Sequence, residues 1–341
     1  MIRKIRTATN ATQKEAWIAL LNKEGIKPEE TLDETFGLYE EGVLVATASR
    51  YQNVIKCVAV DSDYQGGSLF NEIISHVMNK NVENNYFQHY VYTKPESKKA
   101  FEFLGFKEIE SVDNKLVFME KAIGGFQDYL KKLEKEKVNE ENIAAIVMNA
   151  NPFTLGHQYL VTKASEENDW VYLFVLTEDM SAFDTQTRTA LVKAGTAHLK
   201  NVKVVPTGNY IISNATFPSY FLKEDDDVTK IQAKLDAKIF ADHIAPVLNI
   251  KRRYVGSEPF SPSTNIYNEA MQEVFKNKLE LIIVDRIGNE AEIISATKVR
   301  NFLIADQIDI VESYVPKTTF DFLKSDQGQA IIKRMKENAK Q

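Results

Sequence analysis

Thr154 and His157 stand three residues apart at the start of a predicted helix, with Gly156 between them. The apolar run 143–148 before them predicts a buried strand, and Pro152 bends the chain between strand and helix. The first amides of a helix attract anions, and an imidazole in that turn adds a directional donor. The pattern therefore predicts a phosphate site. Taken alone, it is equally typical of a turn with a capping threonine.

A second group of polar residues lies far downstream, at Ser295, Thr297, Lys298 and Arg300. Ser295 is placed to cap a helix, Thr297 falls in its first turn, and the two cations follow. Hydroxyls, helix amides and cations together suit a polyphosphate, as phosphoryl or nucleotidyl transfer requires. An ordinary capped surface helix has the same pattern. Jointly, the two segments predict one ATP pocket on which both converge.

Short apolar runs alternate with helix-length segments after residue 142. The runs are 143–148, 171–176, 202–205, 253–256 and 281–284, and the helical segments are 157–168, 188–199, 228–245 and 263–278. This alternation predicts an α/β domain with a doubly wound parallel sheet, whose ligands lie beyond the carboxyl ends of the strands. Both polar groups follow predicted strands or open predicted helices, where a ligand loop belongs.

Gly124 and Gly125 precede a segment dense in Lys and Glu, which predicts a solvated helix or linker. We therefore expect a first domain over 1–122, a charged linker over 123–142 and a second domain over 143–341. In the first domain, the strand-like runs 36–39, 43–48 and 54–60 predict an antiparallel meander.

The composition narrows the class of protein. Of 341 residues, 44% are hydrophobic and 26% charged, which is enough apolar material for two packed cores. Lys plus Arg number 42 against 48 for Asp plus Glu, a net charge of −6 that argues against nucleic acid as a partner. The single cysteine excludes an internal disulfide and favours the cytoplasm. We see neither a secretory signal nor a membrane span, and expect no membrane partner.

Two further residues have two interpretations each. Arg188 opens a predicted helix, where it either contacts a phosphate of ATP or is a solvated cation. Glu258 follows the run 253–256 and either meets the nucleotide or is a solvated loop carboxylate. Cys57, inside the run 54–60, is expected to be a small buried hydrophobe. The histidines outside the first motif show no metal-ligand spacing, so no metal site is predicted.

Thr154-x-Gly-His157 and Ile294-Ser-Ala-Thr-x-x-Arg300 resemble the paired signatures of the nucleotidyltransferase superfamily that includes phosphopantetheine adenylyltransferase. The longer segments 149–157, 211–223 and 256–264 resemble the citrate lyase ligases, and with the first domain the resemblance covers nearly the whole chain. Two positions depart from the superfamily pattern, because Thr154 stands where histidine is frequent and Ala296 replaces a frequent serine. A hydroxyl still donates at the first, and a main-chain amide remains at the second.

The resemblance implies an ATP-dependent ligase that activates acetate as acetyl-adenylate. It implies acetylation of a coenzyme A-like thiol arm on the acyl carrier subunit of citrate lyase, with release of AMP and pyrophosphate and with Mg²⁺ accompanying ATP. Thr154, Gly156 and His157 would hold the phosphates around the reacting α-phosphorus, while Ser295, Thr297 and Arg300 would hold the β and γ phosphates. His157, Thr154 and Arg300 are the predicted catalytic residues, and the predicted ATP-binding residues are Asn149, Asn151, Pro152, Phe153, Gly156, Arg188, Gly256, Glu258, Ser295, Thr297 and Lys298.

The segments 58–70 and 100–106 resemble the coenzyme A loop and a later segment of acetyltransferases of the histone-modifying type. This resemblance implies a mixed α+β fold for the first domain. Gln65, Gly66 and Gly67 fall where that fold holds the pyrophosphate of coenzyme A, and they are the predicted site for a coenzyme A-like group. Ser68 and Phe70 replace small residues of the family pattern, and the bulk of Phe70 would crowd a pyrophosphate. We therefore expect the fold without the acetyltransferase activity. The alternative to a site for a coenzyme A-like group is a domain with only a structural or docking role.

Two other functions remain open from the sequence. One is a simple adenylyltransferase of the phosphopantetheine adenylyltransferase type, since a shared fold does not fix the substrate. The other is a protein acetyltransferase with a nucleotide-sensing second domain. A requirement for acetate separates the ligase from the first alternative, and a requirement for ATP separates it from the second.

Overall fold

The structure is a computed structural model that describes residues 1–64, 68–177, 181–211, 222, 227–257, 262–285 and 294–339. The chain divides into two compact units, one of Met1–Lys131 with Thr216–Leu235 and the other of Lys132–Ala215 with Asp236–Gln341. The domain bounds expected from the sequence, 1–122 and 143–341, stay predictions.

The first unit is built on one mixed sheet. Its described strands are β1 (Ile2–Ile5), β2 (Glu34–Glu40), β3 (Val43–Tyr51), β4 (Val54–Val60), β5 (His89–Thr93), β6 (Lys107–Val112) and β7 (Leu116–Lys121), and its helices are α1 (Ala11–Lys23), α2 (Leu69–Glu83) and α3 (Lys98–Phe103). The sheet order is β1-β2-β3-β4-β5-β7-β6, and β2, β3 and β4 pair antiparallel. This confirms the predicted meander and the mixed α+β class.

Strands β4 and β5 are parallel neighbours that pair only at Val54 with Tyr90 and Ile55 with Val91. Beyond these pairs the two strands line a cavity of about 240 Å³, together with residues from α2 and α3. Phe70 lies in its wall and meets Phe101 edge-to-face at 5.0 Å. These two rings share the wall of the cavity with the polar residues Glu24, Lys94 and Ser97.

Helix α4 (Gly125–Glu134) lies in the predicted linker, and the boundary between the units falls after Lys131. The second unit contains strands β8 (Ile143–Met148), β9 (Trp170–Val175), β10 (Val202–Pro206), β11 (Arg252–Gly256) and β12 (Glu280–Val284). Its helices are α5 (Leu155–Glu167), α6 (Thr185–Thr196), α7 (Val228–Ile239), α8 (Ala245–Leu248), α9 (Pro262–Phe275), α10 (Ala296–Ile304), α11 (Ile308–Val311), α12 (Lys317–Lys324) and α13 (Asp326–Asn338), with α7 shared across the unit boundary.

The second sheet has the order β10-β9-β8-β11-β12, and all its described pairs are parallel. The chain runs outward from β8 through β9 and β10, and then returns to the other side of β8 with β11. The predicted doubly wound parallel sheet is confirmed. The reversal makes the β8–β11 border the switch point of the sheet, where folds of this class bind ligands.

One apolar core joins the elements that carry the two polar groups. It includes Phe153 before α5, Val161 on α5, Leu173 on β9 and Val299 on α10, all buried. No helix among the described residues is long and apolar enough to cross a membrane.

Candidate active site

The loop after β8 leads directly into the first motif. Ala150 is buried and has a left-handed backbone with φ of 52°, and the peptide between Asn151 and Pro152 is cis. Phe153 follows, fully buried, and Thr154 caps α5. The sequence analysis expects the helix to begin near His157; it begins at Leu155, because the Thr154 cap sets the first turn two residues earlier.

Thr154 and His157 bind each other in a reciprocal cap. The Thr154 hydroxyl accepts the His157 main-chain N–H at 3.4 Å, and the Thr154 N–H donates to Nδ1 of the imidazole at 3.1 Å. The hydroxyl oxygen also lies 2.9 Å from Nδ1. Because Nδ1 accepts a main-chain N–H, the proton of the neutral ring is on Nε2. The cap therefore fixes the histidine as an Nε2–H donor.

A second contact fixes the plane of the same ring. Phe153 stacks on the His157 imidazole with ring centres 5.8 Å apart and planes 14° from parallel. Phe153 in turn lies against Gly195 of α6, where an added Cβ would stand 2.5 Å from the phenyl ring. The imidazole is thus oriented by a hydrogen bond at its edge and by a buried aromatic ring on its face.

The second motif lies beside the first turn of α5. A Cβ placed on Gly156 would be 3.4 Å from the main-chain oxygen of Ile294 and 3.8 Å from its side chain. Ser295 caps α10, its hydroxyl accepting the Lys298 N–H at 3.2 Å. Two helix N-termini, each with a positive dipole end, are therefore neighbours. The predicted capping role of Ser295 is confirmed.

Arg300 connects the two motifs through a hydrogen bond. One guanidinium nitrogen, Nη1, donates to the main-chain oxygen of Asn151 at 2.6 Å, although the two residues are 149 positions apart. The other, Nη2, donates to the Thr297 hydroxyl at 3.1 Å. Partial burial lowers the pKa of Arg300, but a guanidinium remains charged at neutral pH. The structure thus brings together the two sets of residues that the sequence analysis expects to share one pocket.

Arg188 is buried, so its interpretation as a solvated cation is wrong, while its contact with a phosphate of ATP stays a prediction. Helix α6 begins at Thr185, capped by Asp184, whose carboxylate accepts the Thr187 N–H at 2.7 Å; that hydrogen bond lowers the pKa of Asp184. Arg188 therefore lies one turn inside the helix and is fully buried. Its guanidinium donates to main-chain oxygens of Asn149, Leu176 and Phe183 rather than lying at the surface.

The two asparagines of the loop bind protein groups through their side chains. Asn149 Oδ1 accepts from Arg188 at 2.7 Å, and Asn151 Oδ1 accepts the Phe183 main-chain N–H at 3.1 Å. Among the described residues, no heavy atom lies within 4 Å of a Cβ built on Gly256, at the end of β11. Asn149, Asn151 and Gly256 all lie at the carboxyl ends of β8 and β11, at the switch point.

Glu258, Gln65, Gly66 and Gly67 lie outside the described residues. Cys57 is fully buried, and burial raises the pKa of its thiol to about 12. The interpretation of Cys57 as a small buried hydrophobe is confirmed. Among the described residues, no group of three or more His, Cys, Asp or Glu side chains is arranged to hold a metal ion.

The sequence analysis does not identify two residues that support the loop before α5. Gly195 lies inside α6, where glycine costs roughly 1 kcal/mol relative to alanine, and a glycine within a helical pattern is a detectable sign of close packing. Phe183 supplies both an N–H for Asn151 and a carbonyl for Arg188, roles that leave no sign in the sequence because they are made by the main chain.

The C-terminal domain of citrate lyase ligase, as a family, matches residues 143–323. Over 327 residues the chain is 32% identical to the citrate (pro-3S)-lyase ligase of Escherichia coli (strain K12), covering 94% of this chain and 93% of that relative. The chain belongs to the citrate lyase ligase family. The citrate (pro-3S)-lyase ligase of Klebsiella pneumoniae is 34% identical, and the match covers 82% of this chain and 83% of that relative. The ligase of Haemophilus influenzae is 32% identical, and the match covers 89% of this chain and 93% of that relative.

Membership in the ligase family confirms the resemblance on which the sequence analysis relied. The family match begins at Ile143, the first residue of β8, and spans both polar motifs. The individual roles assigned to Thr154, His157 and Arg300 stay predictions.

Proposed function

We propose that this ligase activates acetate with ATP and transfers the acetyl group to a thiol on the acyl carrier subunit of citrate lyase. The observation that carries the proposal is the hydrogen bond from Arg300 to the Asn151 carbonyl, which joins the two phosphate-binding motifs at the switch point of the sheet. It supports a single site for the phosphates of ATP. Family membership supplies the substrate class.

In the first step, a carboxylate oxygen of acetate attacks the α-phosphorus of ATP. The new bond joins that oxygen to phosphorus, the bond between the α-phosphorus and its bridging oxygen breaks, and pyrophosphate leaves. Nε2–H of His157 and the first amides of α5 stabilise the charge that develops on the α-phosphate. Such transfers need in-line positioning and charge neutralisation and no protein nucleophile.

The β and γ phosphates then belong beside α10. Arg300 supplies a fixed positive charge there, and the Ser295 cap presents the first amides of α10. Thr297 holds one arm of the guanidinium, and Lys298 adds a second cation from the same turn. Charge on this side stabilises the departing pyrophosphate.

In the second step, a thiolate attacks the carbonyl carbon of acetyl-adenylate, a thioester forms, and AMP leaves. Cys57 is a poor candidate for this thiol, because it is fully buried and its raised pKa keeps it protonated. The thiol therefore comes from the prosthetic arm of the carrier. We assign the predicted coenzyme A-like site at Gln65, Gly66 and Gly67 to that arm.

Mg²⁺ accompanies ATP in this scheme. The described side chains at the site are hydroxyls, two amides, an imidazole and cations, without a cluster of carboxylates to hold magnesium. We therefore assign the ion to the phosphate oxygens and water, and no step depends on a protein ligand to it. The cytoplasmic location expected from the single cysteine stays a prediction.

The test is the release of pyrophosphate from ATP, measured with and without acetate and with and without the acyl carrier. We expect release to require acetate, and acetyl thioester to accumulate only when the carrier is present. Release without acetate would refute the ligase proposal in favour of simple adenylylation. Acetyl transfer from acetyl-coenzyme A without ATP would refute the assignment of activity to the second unit.

A further inference from the structure

We propose that Arg188 positions the loop from Asn149 to His157 rather than binding ATP itself, an inference that rests on the proposed function. The guanidinium is fully buried and donates hydrogen bonds to three segments of the chain. These are Asn149 after β8, Leu176 after β9 and Phe183 before α6. Arg188 therefore ties the start of the signature loop to two segments that flank it.

Arg188 makes two hydrogen bonds with Asn149. One nitrogen, Nη1, donates to the main-chain oxygen at 2.8 Å and to the side-chain Oδ1 at 2.7 Å. Both the backbone and the side chain of Asn149 are thereby fixed, one residue before the left-handed turn at Ala150. The direction in which the loop leaves β8 consequently depends on this guanidinium.

Arg188 is also linked to the second motif, through a series of three hydrogen bonds. Its Nε donates to the Phe183 carbonyl at 2.9 Å, and the Phe183 N–H donates to Asn151 Oδ1 at 3.1 Å. The Asn151 carbonyl then accepts from Arg300 at 2.6 Å. Each residue in this series holds the next, so displacing Arg188 should displace Arg300 without any direct contact between them.

Only a guanidinium can supply these bonds. Lysine carries three donors on one flexible ammonium, whereas arginine carries five in a rigid plane and can bind acceptors on several sides. Nη2 of Arg188 donates to the Thr185 hydroxyl at 3.0 Å, in a different direction from the bonds of Nε and Nη1. Arg188→Lys should therefore keep a buried cation but lose the shape that fixes the loop.

The first experiment is amide hydrogen exchange on the ligand-free protein, comparing wild type with Arg188→Lys. Exchange should rise several-fold for amides of residues 149–157 and stay unchanged in α13, since the lost bonds are local. Arg252→Lys is the matched control, because Arg252 lies at the start of β11 and pairs with Glu280. Unchanged exchange in the loop, or a uniform rise across the unit, would overturn the inference.

The second experiment is a double-mutant cycle with His157→Ala, measured as acetate-dependent pyrophosphate release. If Arg188 acts through the loop, Arg188→Lys should lower kcat/KM for ATP by roughly tenfold in the wild type and by less than about threefold beside His157→Ala. A direct ATP ligand would raise the KM for ATP equally in both backgrounds, which would overturn the inference. If the wild-type protein shows no acetate-dependent release, the proposed function fails while the exchange experiment still decides the role of Arg188.

Discussion

His157→Ala is the most direct perturbation of the proposed transition state. It removes the Nε2–H donor that the Thr154 cap holds in place, and preorganised donors of this kind contribute about 3 kcal/mol to catalysis. A loss of that size lowers kcat by roughly a hundredfold to a thousandfold. The KM for ATP should change much less, because the donor acts on charge that develops in the transition state.

The same substitution has a separate effect on stability. It removes the hydrogen bond from the Thr154 N–H and the stack on Phe153, which together are worth about 1 to 2 kcal/mol. Thr154→Ser is the matched control, since serine keeps the capping hydroxyl and leaves the imidazole in place. His157→Gln retains a donor near the position of Nε2 and should recover part of the lost rate.

The assay is acetate-dependent pyrophosphate release at saturating ATP, with urea unfolding of each variant measured in parallel. A His157→Ala protein with kcat within about threefold of wild type would refute the catalytic role, whatever its stability. A variant that loses stability and keeps its rate would reduce the histidine to a helix cap.

Three other outcomes follow from the structure. Gly156→Ala should have an unchanged or slightly higher free energy of unfolding in urea, since its Cβ would stand 3.4 Å from the Ile294 oxygen. The larger side chain of Gly156→Val should separate the two motifs and raise the KM for ATP severalfold. Native protein should not react with a thiol reagent at pH 8 and should react once in urea, because burial raises the pKa of Cys57 to about 12; rapid native labelling would contradict this. Burial lowers the pKa of His89 to about 4, so native His89 stays neutral and the unfolded state binds the extra proton. The free energy of unfolding should therefore fall by up to ~3 kcal/mol as pH drops from 6.5 to 4, a slope that His89→Gln should reduce; an equal slope in both proteins would rule out His89 as its source.

The features that the sequence predicts correctly depend on residues that are close together along the chain. Ser295 was assigned as a cap because its hydroxyl serves an amide three residues on, and the structure shows that bond. The strand and helix alternation similarly predicted the parallel sheet, since hydrophobic periodicity is local. The predicted start of α5, at His157, is two residues late because the prediction treats Gly156 as the end of the loop, whereas the helix already includes it.

What the sequence did not predict depends on contacts between distant segments. The inward orientation of Arg188 follows from acceptors on Asn149 and Leu176, which only the folded sheet brings near. The close approach of Gly156 to Ile294 is likewise a tertiary contact, and periodicity carries no information about it. The sequence predicted that the two motifs converge only because both were interpreted as parts of one ligand site.

The hydrogen bond between Arg300 and Asn151 has a consequence for the synthesis of the chain on the ribosome. Ribosomes build the chain from its amino end, so Asn151, Thr154 and His157 emerge long before Arg300 does. A nascent or truncated polypeptide that ends before α10 possesses the first half of the pocket and lacks the second. Under the proposed function, competence to consume ATP therefore arrives only when translation of the second unit is nearly finished.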